Sequence, residues 1–312
     1  MIQVKDLTKR FANTLAVDGI SFHVEKGEIL GFLGPNGAGK TTTMRILTCF
    51  MPATAGTALV AGYDIFNDSI KVRQNVGYMP ENVPLYHDMR VSEYLTFRAK
   101  LKGVPRRRRR QRIAECMEKC SITDVQRKVI GTLSKGYRQR LGLAESMLHD
   151  PKILILDEPT IGLDPNQIRQ ARHLIKELGR SHTILLSTHI LPEVEMVCGR
   201  VIIINRGKIV AMDTPENLMN RLRGATTVSL EVRGPGQQIK DCLEALDGVK
   251  KIVWHDKGEI SHYTLEAAKG VDPREEIFHR IAKNNWVLRE MKREAMTLED
   301  IFVQITTQEK SA

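Results

Sequence analysis

Gly34-Pro35-Asn36-Gly37-Ala38-Gly39-Lys40-Thr41 sets a glycine, four further residues and then Gly-Lys-Thr in one run. Glycines let successive backbone N–H groups turn inward around phosphate oxygens, and a lysine at this spacing reaches the β- and γ-phosphates. A hydroxyl immediately after the lysine can bind Mg²⁺. Gly34, Asn36, Gly37, Ala38, Gly39, Lys40, Thr41 and the following Thr42 are therefore the expected nucleotide contacts, with Thr41 also a metal ligand. A second run, Ile153-Leu154-Ile155-Leu156-Asp157-Glu158-Pro159, ends an apolar stretch in two carboxylates. At the end of a buried strand beside a phosphate loop, Asp157 can hold Mg²⁺ through water. Glu158, one residue on, would point toward the γ-phosphate and polarise the attacking water as general base. Alone, the two runs say no more than a P-loop NTPase with Mg²⁺.

These groups work only if strands and helices hold them. Ile29–Leu33 is a short apolar strand before the glycine loop, and residues 41–50 read as a helix after it, which places the loop at a helix N-terminus. The unbroken apolar run 153–156 fits a strand covered on both faces of a parallel sheet. Residues 2–33 alternate in short runs and predict a β-rich opening, and residues 91–149 are mainly helical in pattern. A helix over 166–178, a strand over 183–186 and a hairpin of 201–205 with 208–212 around Arg206-Gly207 complete an α/β unit to about residue 222. Arg223-Gly224-Ala225 looks like a boundary. Beyond it the pattern is strand (227–232), helix (238–246), strand (249–255), strand (259–265), helix (273–283) and strand (287–292), the βαββαβ order of a ferredoxin-like α+β domain over 223–312. A last helix is expected at 298–305, with Thr297 as N-cap and Glu299 and Asp300 in its first turn.

Composition narrows the class. Of 312 residues, 42% are hydrophobic and 27% charged, a globular balance that can bury a core without staples. No apolar run approaches the roughly 18–20 residues of a membrane span, and the N-terminus lacks a signal-peptide stretch, so a cytoplasmic location is expected. The five cysteines form no CxxC pair; Cys116 and Cys120 could share a helix face, and reduced, semi-buried thiols are expected throughout. The net charge of +10 points to an anionic partner. Its densest part, Arg106 to Arg110, has three readings: a solvated helix start, attraction to anionic lipid headgroups beside a membrane protein, or nucleic-acid binding. No aromatic residues interleave the arginines for base stacking, so no nucleic-acid partner is expected.

The segments between and after the two runs carry a resemblance. Leu133-Ser134-Lys135-Gly136-Tyr137-Arg138-Gln139-Arg140 resembles the signature motif of ABC ATPases, usually written LSGGQ. Gly162-Leu163-Asp164 resembles the family's D-loop, Ser187-Thr188-His189 its switch histidine, and Phe11 sits where the family places an aromatic that stacks on adenine. The resemblance spans residues 1–220 and implies an ABC cassette over 1–222, made of a β-rich subdomain, a parallel-sheet core and a helical subdomain near 91–149. It implies that Ser134, Gly136 and a helix N-terminus of one copy cover the γ-phosphate held by another. His189 would contact the γ-phosphate and orient Glu158 and the water, Lys40 would complete the catalytic set, and Asp164 would link the two composite sites.

Two departures from the family pattern stand out. The first glycine of the signature is Lys135, a variant of type-2 ABC exporters. In Val76-Gly77-Tyr78-Met79-Pro80-Glu81 the Q-loop glutamine is replaced by Glu81, which could still bind Mg²⁺ but adds negative charge near the phosphates, so slow basal turnover is expected. The run from Gly77 to Tyr86, Lys135 to Gln139 and the terminal Leu298-Glu299-Asp300-Ile301-Phe302 resemble the ATP-binding subunits of type-2 exporters, especially the gliding-motility-associated branch. That resemblance implies a homodimer, or a pair with a close relative, peripheral on the cytoplasmic face of the membrane. A separate integral-membrane permease would dock beside Glu81 and the helical segment. The alternatives are a soluble ABC ATPase acting on a non-transport target, or a nucleotide-gated binding module that barely hydrolyses. The first lacks its usual duplicated cassette or coiled coil here, and intact Lys40, Asp157, Glu158 and His189 oppose the second. In the C-terminal domain, His255, His262 and His279 are expected to be scattered surface residues, and the domain to regulate or stabilise the dimer.

Overall fold

Burial with a period of two opens the chain. In β1 (Ile2–Phe11) and β2 (Thr14–Val24), Ile2, Val4, Val17, Ile20, Phe22 and Val24 are buried and most of their neighbours face solvent, the pattern of a sheet covered on one face. A computed structural model describes residues 1–222, 226–256, 260–268 and 271–294. The expected 298–305 helix, the 298–302 motif and the 223–225 boundary lie outside the described residues.

Along the chain follow β3 (Ile29–Leu33), α1 (Lys40–Leu47), β4 (Ala55–Val60), β5 (Tyr63–Asp64), α2 (Ser69–Asn75) and β6 (Val76–Met79). Strands β2-β1-β4-β5 form an antiparallel sheet in that order. The helix expected over 41–50 ends early, because Cys49 takes a φ of 56° that no helix continues through. Next come α3 (Val91–Leu101), α4 (Arg106–Lys119) and α5 (Lys135–Met147), with short 3-10 turns at Thr123–Val125 and Ile130–Thr132. The helical segment is held by one buried carboxylate on α5. Glu145 accepts hydrogen bonds from Tyr94 Oη at 2.6 Å and Arg98 Nε at 2.7 Å, both on α3.

The core sheet is finished by β7 (Ile153–Asp157), α6 (Pro165–Gly179), β8 (Thr183–Thr188), α7 (Leu191–Val197), β9 (Arg200–Asn205) and β10 (Lys208–Asp213), followed by α8 (Pro215–Leu222). Its order is β10-β9-β3-β8-β7-β6; only the β10–β9 pair is antiparallel. Every residue of β7 and β8 is buried, as the apolar runs predict for central parallel strands. Because β3, β8 and β7 are adjacent and parallel, the segments leaving their C-terminal ends share one edge, where open α/β sheets bind ligands.

The chain divides into two units, Met1–Pro215 and Glu216–Ala312. The second contains β11 (Thr226–Arg233), α9 (Gly236–Glu244), β12 (Val249–Asp256), β13 (Ile260–Ala267), α10 (Arg274–Lys283) and β14 (Val287–Glu294). Its four strands pair antiparallel in the order β12-β13-β11-β14. Val228, Leu230 and Val232 alternate into a core with Tyr263 and Leu265, closed by Ile239 and Leu243 of α9 and Ile277 and Ile281 of α10. The element order is the one the sequence predicts. One expectation needs correction: His255 and His262 are not scattered, since β12–β13 pairing sets them opposite each other and His262 Nδ1 lies 3.2 Å from Glu231 Oε1. Strand register, which a single strand's pattern does not reveal, decides that.

Candidate active site

Two glycines make the loop between β3 and α1 possible. A side chain at Gly39 would meet Ala16 O at 2.4 Å, and its φ of 109° favours glycine; a side chain at Gly34 would meet Ile204 O at 2.5 Å. Ala38, 3% exposed, closes the back of the loop. In front lies a pocket of about 320 Å³ lined by Asn36, Gly37, Gly39, Lys40, Thr41, Thr42, Glu81 and Glu158, with Ala16 and Ile161. Glu81, far along the chain, thus shares a wall with the phosphate loop. Its carbonyl accepts from Gln139 Nε2 of α5 at 3.4 Å, tying this segment to the helix that begins beside Ser134.

Three charged groups interlock at the pocket floor. Lys40 Nζ lies 3.3 Å from Glu158 Oε1, and both side chains are about 95% buried. The ammonium also donates to Gly34 O at 2.7 Å and Pro35 O at 3.2 Å. The other Glu158 oxygen lies 2.9 Å from His189 Nδ1, whose ring is 39% exposed. Lysine, glutamate and histidine therefore form a continuous chain. An anionic phosphate arriving at the loop would compete with Glu158 for Lys40 and free a carboxylate already aligned with His189. Glu158 itself has a φ of 50°, rare for a residue with a Cβ. Its amide donates to Ser187 O at 3.0 Å and lies 3.2 Å from Ser187 Oγ, which anchors the turn.

Asp157 is fully buried, and its Oδ1 accepts from Thr41 Oγ1 at 3.2 Å and from Ser187 Oγ. Its Oδ2 is buried without a hydrogen-bond partner. A carboxylate with one unsatisfied oxygen beside a threonine hydroxyl fits a hard divalent cation, which prefers such oxygen donors. The residues present thus suit Mg²⁺. Among the described residues, no group of three His, Cys, Asp or Glu side chains makes a separate metal site.

The remaining candidates are not brought to this pocket. Phe11 ends β1 with its ring 43% exposed and Lys9 Nζ at 5.1 Å from the ring centroid. Ser134 caps α5, its hydroxyl accepting from Tyr137 N at 3.4 Å. Asp164 caps α6, Oδ1 accepting from Gln167 N at 2.9 Å. Phe11, Ser134, Gly136 and Asp164 are all absent from the pocket wall. Ser134, Gly136 and Asp164 form their own cluster: a side chain at Gly136 would collide with the Gln167 amide, and one at Gly162 would displace Lys135. Lys135, the departure from the glycine pattern, is accommodated because residue 162 has no Cβ.

Several supporting residues escape sequence reasoning. Ser187 touches both Asp157 and Glu158, and the only signal for it was its place just before the switch histidine. Glu193 of α7, 1% exposed, accepts from Thr160 Oγ1 at 2.5 Å and from Thr188 Oγ1 at 2.9 Å, with Arg172 Nη2 at 3.9 Å. It pins the segments that carry Glu158 and His189 together, and nothing local in the sequence marks it. All five cysteines are free: Cys116, Cys120 and Cys198 are fully buried, Cys49 and Cys242 half-buried. Burial pushes the Cys116 thiol up to about 11 and Cys198 to about 12, so they are inert.

A sequence model of the family described as "ABC transporter" matches residues 17–161. The "Nod factor export ATP-binding protein I" of Burkholderia pseudomallei is 36% identical over 99% of this chain and 97% of its own. The "Linearmycin resistance ATP-binding protein LnrL" of Bacillus subtilis is 33% identical, covering 82% of this chain and 83% of its own. Among solved structures, an ATP-binding subunit of an ABC transporter superposes with a TM-score of 0.66 at 28% identity, over 72% of this chain and 95% of that one. A dimeric cassette bound to ADP and Pi gives 0.63 over 69% of this chain and 98% of that one, and at 22% identity it speaks for the fold alone.

Proposed function

The chain belongs to the ABC transporter family and hydrolyses ATP, and from that premise we propose that it powers export through a separate type-2 permease by ATP-driven pairing of two cassettes. The observation that carries this reading is the split of the site. Lys40, Thr41 and Glu158 line one pocket, with Asp157 bonded to Thr41 and His189 bonded to Glu158, while Ser134, Gly136 and Asp164 stand in another cluster of the same chain. A second copy, presenting its Ser134 hydroxyl and α5 N-terminus, would close the open side of the nucleotide.

In this reading Lys40 leaves Glu158 for the phosphates, and Glu158, held by His189, takes a proton from the attacking water. Thr41 and Asp157 would hold Mg²⁺, which neutralises charge developing on the phosphates. Phe11 stacks on the adenine, Asp164 communicates between the two sites, and Glu81 stands where the family couples nucleotide to transport. ADP release follows parting of the cassettes.

The permease would enter a groove of about 790 Å³ formed by the segment around Glu81, including Tyr78, Pro80, Asn82 and Pro84, by Arg98 and Leu101 of α3 and by Lys102 just after it. Phe50 at 72% exposure, Ile70 at 65% and Leu101 at 63% give it an apolar lining that water alone does not favour. Docked in this way the chain would lie on the cytoplasmic face of a membrane, and no helix among the described residues is long and apolar enough to cross one. Near full-length likeness to an export ATP-binding protein supports export over a soluble, non-transport role. The β-α-β-β-α-β order and 4-1-3-2 strand arrangement of the second unit support a ferredoxin-like accessory domain, whose role in this reading is to regulate or to stabilise the dimer.

Glu158→Gln should accumulate as an ATP-dependent dimer on gel filtration with multi-angle light scattering. A variant that stays monomeric with saturating Mg-ATP would refute the sandwich. Co-purification from membranes with a polytopic permease tests the export half.

A further inference from the structure

Four of the five consecutive arginines that open α4, namely Arg106, Arg107, Arg108 and Arg110, are exposed. Among the described residues none of the four has an ion pair, and only Arg109 turns inward, donating to Val104 O at 3.0 Å. The helix's carboxylates do not neutralise them: Glu115 is taken by Arg112 at 2.7 Å. The first turn of α4 contains no acidic residue. Cations at a helix N-terminus oppose the helix dipole, and like charges three and four residues apart repel. The run therefore weakens the helix it starts, and a purely solvated helix start would do better with almost any other sequence.

Its position explains it. Leu101, Lys102 and Gly103, which lead from α3 into α4, line the groove described above. Arg106 follows Gly103 by three residues, so its backbone lies within about 11 Å of the groove wall. Leu101 and Lys100, both exposed, extend the edge with an apolar and a further cationic group. That distance is close to the screening length of about 8–10 Å at physiological ionic strength.

We propose that the exposed arginines at the start of α4 form a contact for anionic lipid headgroups, placed to touch the bilayer when a membrane protein occupies the adjoining groove. The choice of orientation rests on the permease reading, but affinity for anionic lipid is a property of this chain alone. Arginine forks pair two-pronged with phosphate oxygens, and the exposed leucine can reach the headgroup boundary. Single-stranded nucleic acid shares the phosphate chemistry but is held in addition by aromatic stacking, and no aromatic residue interleaves these arginines.

The test is flotation of the full chain with vesicles of phosphatidylcholine alone, or of phosphatidylcholine and phosphatidylglycerol in equal parts. A quadruple variant, Arg106→Gln, Arg107→Gln, Arg108→Gln and Arg110→Gln, is compared with a charge-matched control, Lys250→Gln, Lys251→Gln, Arg289→Gln and Lys292→Gln, four exposed sites in the second unit. The wild type and the control should float with the anionic vesicles only, and salt should release them. Each arginine lost near such a surface weakens partition about fivefold, so the quadruple variant should bind several hundredfold less while keeping its basal ATPase rate. Equal loss in both quadruple variants would reduce the effect to net charge and overturn the proposal. So would a wild type that ignores anionic vesicles, or one whose four arginines bind duplex DNA or RNA more tightly than the vesicles. Failure to co-purify with a permease, with vesicle binding intact, would instead strike the export reading and leave the lipid contact standing.

Discussion

Lys40 and Glu158 hold each other in a buried ion pair that, under the proposed function, a nucleotide would break, so neutralising one partner should have opposite effects on the free and the ATP-bound protein. The perturbation is Glu158→Gln. Removing one member of a buried pair costs about 3–5 kcal/mol in general. Here glutamine keeps an acceptor near the ammonium, and the carbonyls of Gly34 and Pro35 at 2.7 and 3.2 Å still hold it, so about 1–3 kcal/mol is expected. For a unit of this size each kcal/mol lowers Tm by about 2–4 °C, giving a nucleotide-free Tm about 2–12 °C below the parent. ATP then meets a lysine with no carboxylate competing for it, and one negative charge fewer beside its γ-phosphate. Affinity should rise about tenfold for each 1.4 kcal/mol so released, while hydrolysis falls by about two to four orders of magnitude. Differential scanning fluorimetry with and without Mg-ATP reads both effects, as a lower baseline and a larger nucleotide shift. A variant whose nucleotide-free Tm and ATP shift both match the parent would refute the idea that this pair opposes binding.

The other predictions bear on the shell around that pair. Glu81→Gln removes a partly exposed like charge from the pocket wall, of order 1 kcal/mol, and should speed basal ATP hydrolysis several-fold. Unchanged ATPase and unchanged permease stimulation would show the carboxylate to be neutral. Glu193→Gln should loosen the Thr160 and Thr188 tethers and lower kcat about 10–100-fold with KM little altered; a changed KM with constant kcat would point to a binding role instead. Burial, with Lys102 nearby, pushes His149 down to about 4, so the folded protein disfavours its charged form. The unfolded chain binds that proton near pH 6.5, hence the contribution is complete above about 6.5 and is lost as pH falls toward 4, at most about 3 kcal/mol. His149→Gln should flatten the stability–pH curve across that window in urea titrations, and an unaltered slope would assign the acid sensitivity elsewhere.

Much of the candidate site was legible before any fold was known, for a physical reason. A phosphate is surrounded by consecutive backbone N–H groups, so residues 34–42 must be contiguous, and Asp157 and Glu158 must follow directly on a buried strand. Sheet-forming and helix-forming periods likewise marked the elements, apart from ends such as that of α1, where a single left-handed residue at Cys49 decides. What the chain could not display locally is anything set by strands meeting from distant parts of it. The parallel order β3-β8-β7 brings Ser187 against both Asp157 and Glu158 and sets Lys40 against Glu158. Glu193 reaches Thr160 across 33 residues, and the cross-strand neighbours His255 and His262 appear only once register is set. The separation of Ser134, Gly136 and Asp164 from the pocket they are expected to complete is also tertiary. Motif spacing names the groups proposed to touch phosphate, because that chemistry is local; the charges and hydroxyls that hold those groups in place are chosen by packing, which any sufficiently close part of the chain can satisfy.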